Sequence, residues 1–121
     1  MLVNVPAAVL AQTTVGCQGS NWDYLVIEVR QTDAYHTWFR KLRDKQARGR
    51  IDIRIRRLSM GNAGDAKPVG EGVSELRIDY GPGYRVYYVL RGRSLIVLLA
   101  GGDKGSQDKD IKTALELARG L

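Results

Sequence analysis

Apolar residues recur along this chain with two different periods, and the period of each stretch predicts its element. Residues 24–30 (YLVIEVR) are rich in β-branched and aromatic types without Gly or Pro, which predicts a first strand. Thr32 then stands where a helix N-cap belongs, and Asp33 suits the positive end of the helix dipole. Tyr35, Trp38, Phe39 and Leu42 follow at the spacing of one helical face. After a break at residues 45–49, Ile51, Ile55 and Leu58 repeat at the same spacing while Arg50, Arg54 and Arg57 crowd the opposite side. Gly61 and Asn62 supply the stop.

The second half switches to a period of two. Residues 61–72 (GNAGDAKPVGEG) read as a glycine-punctuated loop or an irregular strand start. In residues 74–80, Leu76, Ile78 and Tyr80 then alternate with Glu75, Arg77 and Asp79. The turn at residues 81–83 (GPG) leads into residues 84–91. There Tyr84, Val86, Tyr88 and Leu90 oppose Arg85, Tyr87, Val89 and Arg91, so a hairpin is expected. Gly92 allows a short return to residues 95–100 (LIVLLA). This run has no alternation, as a central strand covered on both faces would have none, and it gives way to a loop at residues 101–105 (GGDKG). Ser106 is placed to cap a last helix whose Ile111, Ala114, Leu115 and Ala118 form one stripe, ending at Arg119 and Gly120.

This order predicts an α+β fold, a mostly antiparallel four-stranded sheet packed with two N-terminal helices and a C-terminal one. Residues 1–12 have the small residues of a secretory leader but no basic stretch, and Asn4 and Pro6 break their apolar run. Residues 1–22 are therefore read as a loose extension and residues 23–121 as one domain. No apolar run approaches the roughly 20 residues that cross a bilayer, so no membrane association is expected. Cys17 alone cannot close a disulfide within the chain, and one Cys with one His cannot build a zinc site without several carboxylates. A reducing, cytoplasmic compartment with no metal and no cofactor is the expectation. The net charge is +6, and nine basic residues between Arg40 and Arg57 face only Asp44 and Asp52. Such a local positive field favours a polyanionic partner.

The segment GDAKPVGEGVSELRIDYGPGYRVYY at residues 64–88, followed by LLAGGDKGSQDKDI at residues 98–111, resembles the HigB-like addiction-module killer proteins of the RelE/ParE superfamily. The likeness runs from about Tyr24 to Leu121. It implies a RelE-like fold and the toxin of a type II toxin–antitoxin module, an endoribonuclease acting on mRNA in the 70S ribosome. It also implies neutralisation by a cognate antitoxin, often of helix-turn-helix type. Related toxins of the ParE type share the fold but inhibit DNA gyrase without nuclease activity, and a plain RNA-binding domain is a third reading.

Metal-free RNA cleavage by the ribose 2′-OH needs help with deprotonation, charge stabilisation on the phosphorane and protonation of the leaving oxygen. Arg77 and Arg85 lie on the polar faces of the two hairpin strands, and the turn could bring them side by side; by the resemblance, Arg85 is the strand arginine of the RelE-like pattern. Their alternative is an ordinary solvent-facing position. Lys104, in the loop after the central strand, could hold phosphate or donate a proton. Gln107 and Asp110 fall in the first turn of the last helix, where backbone N–H groups favour anions. Some RelE-like toxins carry a tyrosine in this region as acid or base, and this chain offers Asp110 instead. Lys67 belongs to the motif and would touch the RNA backbone, Tyr87 could stack on a base, and Arg50, Arg54 and Arg57 would bind rRNA phosphates diffusely. His36 falls off the apolar face of its helix and is given no catalytic role.

Overall fold

The structure of the protein, a computed structural model, describes Leu2, Val3 and residues 27–121. Its elements in chain order are β1 (Leu2–Val3), β2 (Glu28–Thr32), α1 (Asp33–Lys41), α2 (Lys45–Ser59), β3 (Ala66–Gly70), β4 (Val73–Ile78), β5 (Tyr84–Arg91), β6 (Leu95–Asp103), a 3-10 turn (Lys104–Ser106) and α3 (Gln107–Arg119). The α+β class and the three helices are as expected, but the sheet is mixed and has six strands in the order β1-β2-β6-β5-β4-β3. β2 runs parallel to β6, and the other neighbours are antiparallel. The two strands that the periodicity did not announce are short edge pieces. β3 pairs with β4 across a register shift near Pro68, and β1 pairs with Gln31 and Thr32. Of the expected extension 1–22, the remaining residues lie outside the described residues, as do positions 24–26 of the expected first strand.

The central strand explains the layering. Ile96 and Leu98 of β6 join Val29, Tyr35, Ile51, Ile55 and Leu58 in one core, beneath α1 and α2. Val97, Leu99 and Ala100 join Val73, Tyr87, Val89, Ala114 and Ala118 in a second core, beneath α3. Both faces of the sheet are therefore covered, which is why this run shows no alternation. A bulge in β6 opposite Tyr87 and Tyr88 then shifts the register, and Gly101 and Gly102 continue the strand where a loop was expected. Leu90, expected on the core face, is 50% exposed near the end of β5.

Capping sets the helix starts. The Thr32 hydroxyl accepts from the Tyr35 amide at 3.1 Å and donates to the Leu99 carbonyl at 2.6 Å, so one side chain caps α1 and ties β2 to the central strand. α2 starts at Lys45, where a break was expected, because Asp44 accepts from the amides of Gln46 and Ala47. The Tyr80 hydroxyl also donates to Asp44, at 2.9 Å, and that bond, followed by the Ala47 amide, holds the carboxyl below its usual range. Ser106 sits at the N-cap position of α3 but makes no capping bond; its hydroxyl goes to Asp110 instead. Among the described residues no helix is long and apolar enough to cross a membrane.

Two glycines give opposite expectations. A Cβ on Gly101 would lie 2.1 Å from the Trp38 ring, whereas nothing stands within 4 Å of one on Gly49, inside α2. Gly101→Ala should cost about 1–3 kcal/mol by overpacking, and Gly49→Ala should gain about 0.4–1 kcal/mol, both read by denaturant unfolding. A neutral Gly101→Ala would contradict the packing described. At Asp44 the lowered carboxyl makes stability that is present above the ordinary carboxyl range and lost as pH falls through the depressed value. The stability gap between wild type and Asp44→Ala should therefore narrow on acidification below about pH 4, and a gap that widened would refute the cap assignment.

Candidate functional site

Charged residues gather at one end of the sheet face that α3 covers. Arg77 pairs directly with Arg85 across β4 and β5, and Glu75 pairs with Tyr87, so these four side chains share a face. The rows continue outward: Lys67 on β3 opposes Glu75, and Gly102 on β6 opposes Arg85. The missing side chain at Gly102 makes room for α3, since a Cβ there would lie 1.8 Å from Oδ2 of Asp110 and 2.8 Å from Oγ of Ser106.

Glu75 is at the centre and is fully buried. Its Oε2 accepts from the Tyr87 hydroxyl at 3.0 Å and from Nε2 of Gln107 at 2.8 Å. Its Oε1 accepts no hydrogen bond and lies 3.7 Å from Nε of Arg77 and 3.7 Å from Nε of Arg85. Arg85 is 11% exposed in its side chain, and its Nη1 donates to the carbonyls of Gly83 and Tyr84 at 3.3 Å each. Arg77 also faces Asp65 at 3.6 Å. Burial first, then the charge and hydrogen bond of Glu75, push the Tyr87 hydroxyl far above its ordinary value, so it acts as a fixed donor.

Arg77, Arg85 and Lys104 together line an open cleft of about 400 Å³, walled by the turn at residues 81–83 and bordered by Asp65 and Asp79. Three of the four expected catalytic side chains thus converge. Asp110 is set back from them: its Oδ2 takes the Ser106 hydroxyl at 2.5 Å, and it does not line the cleft. Gln107 is committed to Glu75. Lys67 is exposed on the edge strand, on the same face. The expectation that Tyr87 stacks on a base is corrected, because α3 covers that face and leaves Tyr87 with no exposed surface.

Arg50, Arg54 and Arg57, three of the five arginines of α2, do different things. The Arg50 guanidinium lies 4.6 Å from the centre of the Tyr80 ring, a cation–π contact. Arg54, expected to bind rRNA phosphates, instead straps α2 to the sheet edge. It donates to the carbonyls of Arg77, Ala63 and Asp65 at 2.5, 2.9 and 3.2 Å. Arg57 is exposed. Arg50, Arg54 and Arg57 line a second cleft of about 260 Å³ with Ile53, Ile78 and Asp79. Ile78 and Asp79 border both clefts, so the basic helix leads directly into the strand-arginine site. His36 pairs with the Gln31 side chain at 3.0 Å, outside both. Among the described residues no three His, Cys, Asp or Glu side chains converge as a metal site.

Glu75 is the residue that sequence reasoning passed over. Its one signal was a carboxylate two positions before Arg77 on an alternating strand, and nothing local showed that this face would be buried.

The family model described as phage derived protein Gp49-like (DUF891) matches residues 37–120, a span that holds every residue of both clefts. A protein of Haemophilus influenzae (strain ATCC 51907 / DSM 11121 / KW20 / Rd), described as an uncharacterized protein, is 47% identical over 97 residues, covering 80% of this chain and 98% of that one. No solved structure matches the chain.

Because Arg54 satisfies three carbonyls, Arg54→Ala should lower the unfolding free energy by roughly 2 kcal/mol, the scale of charged hydrogen bonds. The exposed Arg57→Ala should stay within about 0.5 kcal/mol of wild type. Equal stabilities for the two variants in urea titrations would argue against the strap.

Proposed function

Since the chain belongs to the family of Gp49-like phage-derived proteins, which is toxin-like, associated with toxin–antitoxin modules and related to the RelE and HigB toxins, we propose that it is a ribosome-dependent mRNA endonuclease silenced by a cognate antitoxin. The observation that carries this reading is the convergence of Arg77, Arg85 and Lys104 on one cleft. Guanidinium forks match phosphate oxygens, and fixed cations stabilise charge as it develops on a phosphorane. In the reaction the ribose 2′-oxygen bonds to phosphorus, the bond to the 5′-oxygen breaks, and Lys104 protonates the departing oxygen. The 2′-OH proton passes to water in the open cleft, since Asp110 is set back from it and held by the Ser106 hydroxyl. The products are a 2′,3′-cyclic phosphate and a 5′-OH end.

The open shape of the site supports dependence on the ribosome. An open cleft does not by itself hold a flexible strand in line for attack, whereas a ribosome that positions the mRNA supplies that order. Arg50 and Arg57 beside the cleft would bind rRNA phosphates, and Lys67 would touch the RNA backbone from the edge strand. No feature of the site favours the gyrase-inhibitor reading over this one.

Induced expression should arrest growth and produce mRNA cuts with 5′-OH ends that disappear when ribosomes are kept off the message. Equal cutting of purified RNA, or 5′-phosphate ends, would defeat the proposal, and DNA damage with intact mRNA would point to gyrase. On programmed ribosomes Arg85→Ala should slow single-turnover cleavage roughly 10²-fold or more while affinity holds, as loss of an oxyanion donor does. An affinity loss with normal cleavage at saturation would remove Arg85 from the chemical step.

A further inference from the structure

Two like charges directly opposite each other on neighbouring strands destabilise a sheet, yet Arg77 and Arg85 occupy such a pair. One oxygen, Oε1 of Glu75, lies at the same 3.7 Å from Nε of each. The other oxygen is pinned by Tyr87 and Gln107, so the carboxylate cannot turn away. Burying a carboxylate this completely is costly, and an apolar, well-packed set of side chains in place of the whole charged cluster is often as stable or more so. Removing the charge of Glu75 alone would instead leave the nearly buried Arg85 without its counter-charge. The arrangement is thus expensive for stability alone and well suited to aiming two guanidinium groups. Arg85 lines the cleft, and both of its hydrogen bonds are made by Nη1, which leaves Nη2 without a partner among the described residues.

We infer that Glu75 is a positioning residue, which bridges Arg77 and Arg85 from beneath and aligns both guanidinium groups toward a single phosphodiester without touching it. Full burial keeps the carboxylate from the ligand, so it acts only through the arginines. Gln107 links this bridge to the first turn of α3, and Gly102 admits that helix turn to the sheet, so the docking of α3 sets the aim of the arginines. Its activity readout rests on the nuclease reading above; its structural readout does not.

The test uses the full chain carrying Glu75→Gln, which keeps the shape and an acceptor for Tyr87 and Gln107 but removes the charge. Single-turnover cleavage on saturating programmed ribosomes should fall about 10-fold to 100-fold, the range for groups that orient a reacting neighbour, while ribosome affinity holds near wild type. The melting temperature should fall as well, because Arg85 loses its counter-charge, so cleavage is read well below it. In parallel, the Nε–H signals of Arg77 and Arg85 are followed by nitrogen-15 NMR with and without inorganic phosphate. In wild type the two signals should be sharp and shift together on titration, and in Glu75→Gln the Arg85 signal should broaden and lose that coupling. Wild-type cleavage rates in Glu75→Gln, or unaltered Arg85 signals, would overturn the inference, as would a rate loss matched by an equal loss of ribosome affinity. If wild-type protein fails to cut mRNA yet shows coupled arginine signals that depend on Glu75, the nuclease reading falls and the positioning role stands. Should Glu75→Gln not fold, Gln107→Ala replaces it, with a smaller rate loss supporting the inference and an unchanged rate overturning it.

Discussion

Two guanidinium groups facing each other across adjacent strands repel, and in this protein the Arg77–Arg85 pair is balanced by a carboxylate one row away that has no contact with water. Much of the surrounding architecture follows from keeping that carboxylate satisfied. Tyr87 has to bring its hydroxyl inward, which places an aromatic ring in the core beneath α3. Gln107 has to reach Glu75 from the first turn of α3, which requires the helix to approach β6 closely, and Gly102 is the position whose lack of a side chain permits it. The 3-10 turn that brings Lys104 to the cleft is held by its own capping box between Asp103 and Ser106. The cationic cleft and the second hydrophobic core are therefore one construction.

The opposite face of the sheet supports the same site from behind. α2 buries Ile51, Ile55 and Leu58 against β4 and β5, and its Arg54 reaches the carbonyl of Arg77 itself. A displacement of α2 would thus be felt at the backbone that carries one of the site arginines. Arg50 is steadied on Tyr80, whose hydroxyl in turn supports the Asp44 cap at the start of the helix. Within one basic helix, Arg54 is bound up in structure, Arg50 rests on an aromatic ring and Arg57 has neither restraint, although the three look alike in the sequence.

This division bears on how positive charge should be read. A surplus of Lys and Arg states that a polyanion is attracted, but not which cations are available to it. Arg54 donates to three carbonyls and Arg77 faces two carboxylates, so neither is a free cation in the sense that Arg57 is. Lys104 and Arg57, on the rims of the two adjoining clefts, are both exposed, and the shared border at Ile78 and Asp79 makes their surfaces continuous.

The features legible in the sequence are those fixed by neighbours along the chain. The stripes of Tyr35 and Trp38, of Ile51, Ile55 and Leu58, and of Ala114 and Ala118 state helix faces because helical spacing is local. Thr32 states a cap for the same reason, and the unbroken run at residues 95–100 states a strand covered twice. The turn at residues 81–83 sets Arg77 against Arg85, so part of the site was legible too. The parallel pairing of β2 with β6, the edge strand β3 and the burial of Glu75 and Tyr87 were decided only in three dimensions. Each depends on which face of the sheet a helix distant in sequence covers. An alternating strand gives the same pattern whether its polar-looking face meets water or, as here, meets α3 and has to satisfy a buried charge.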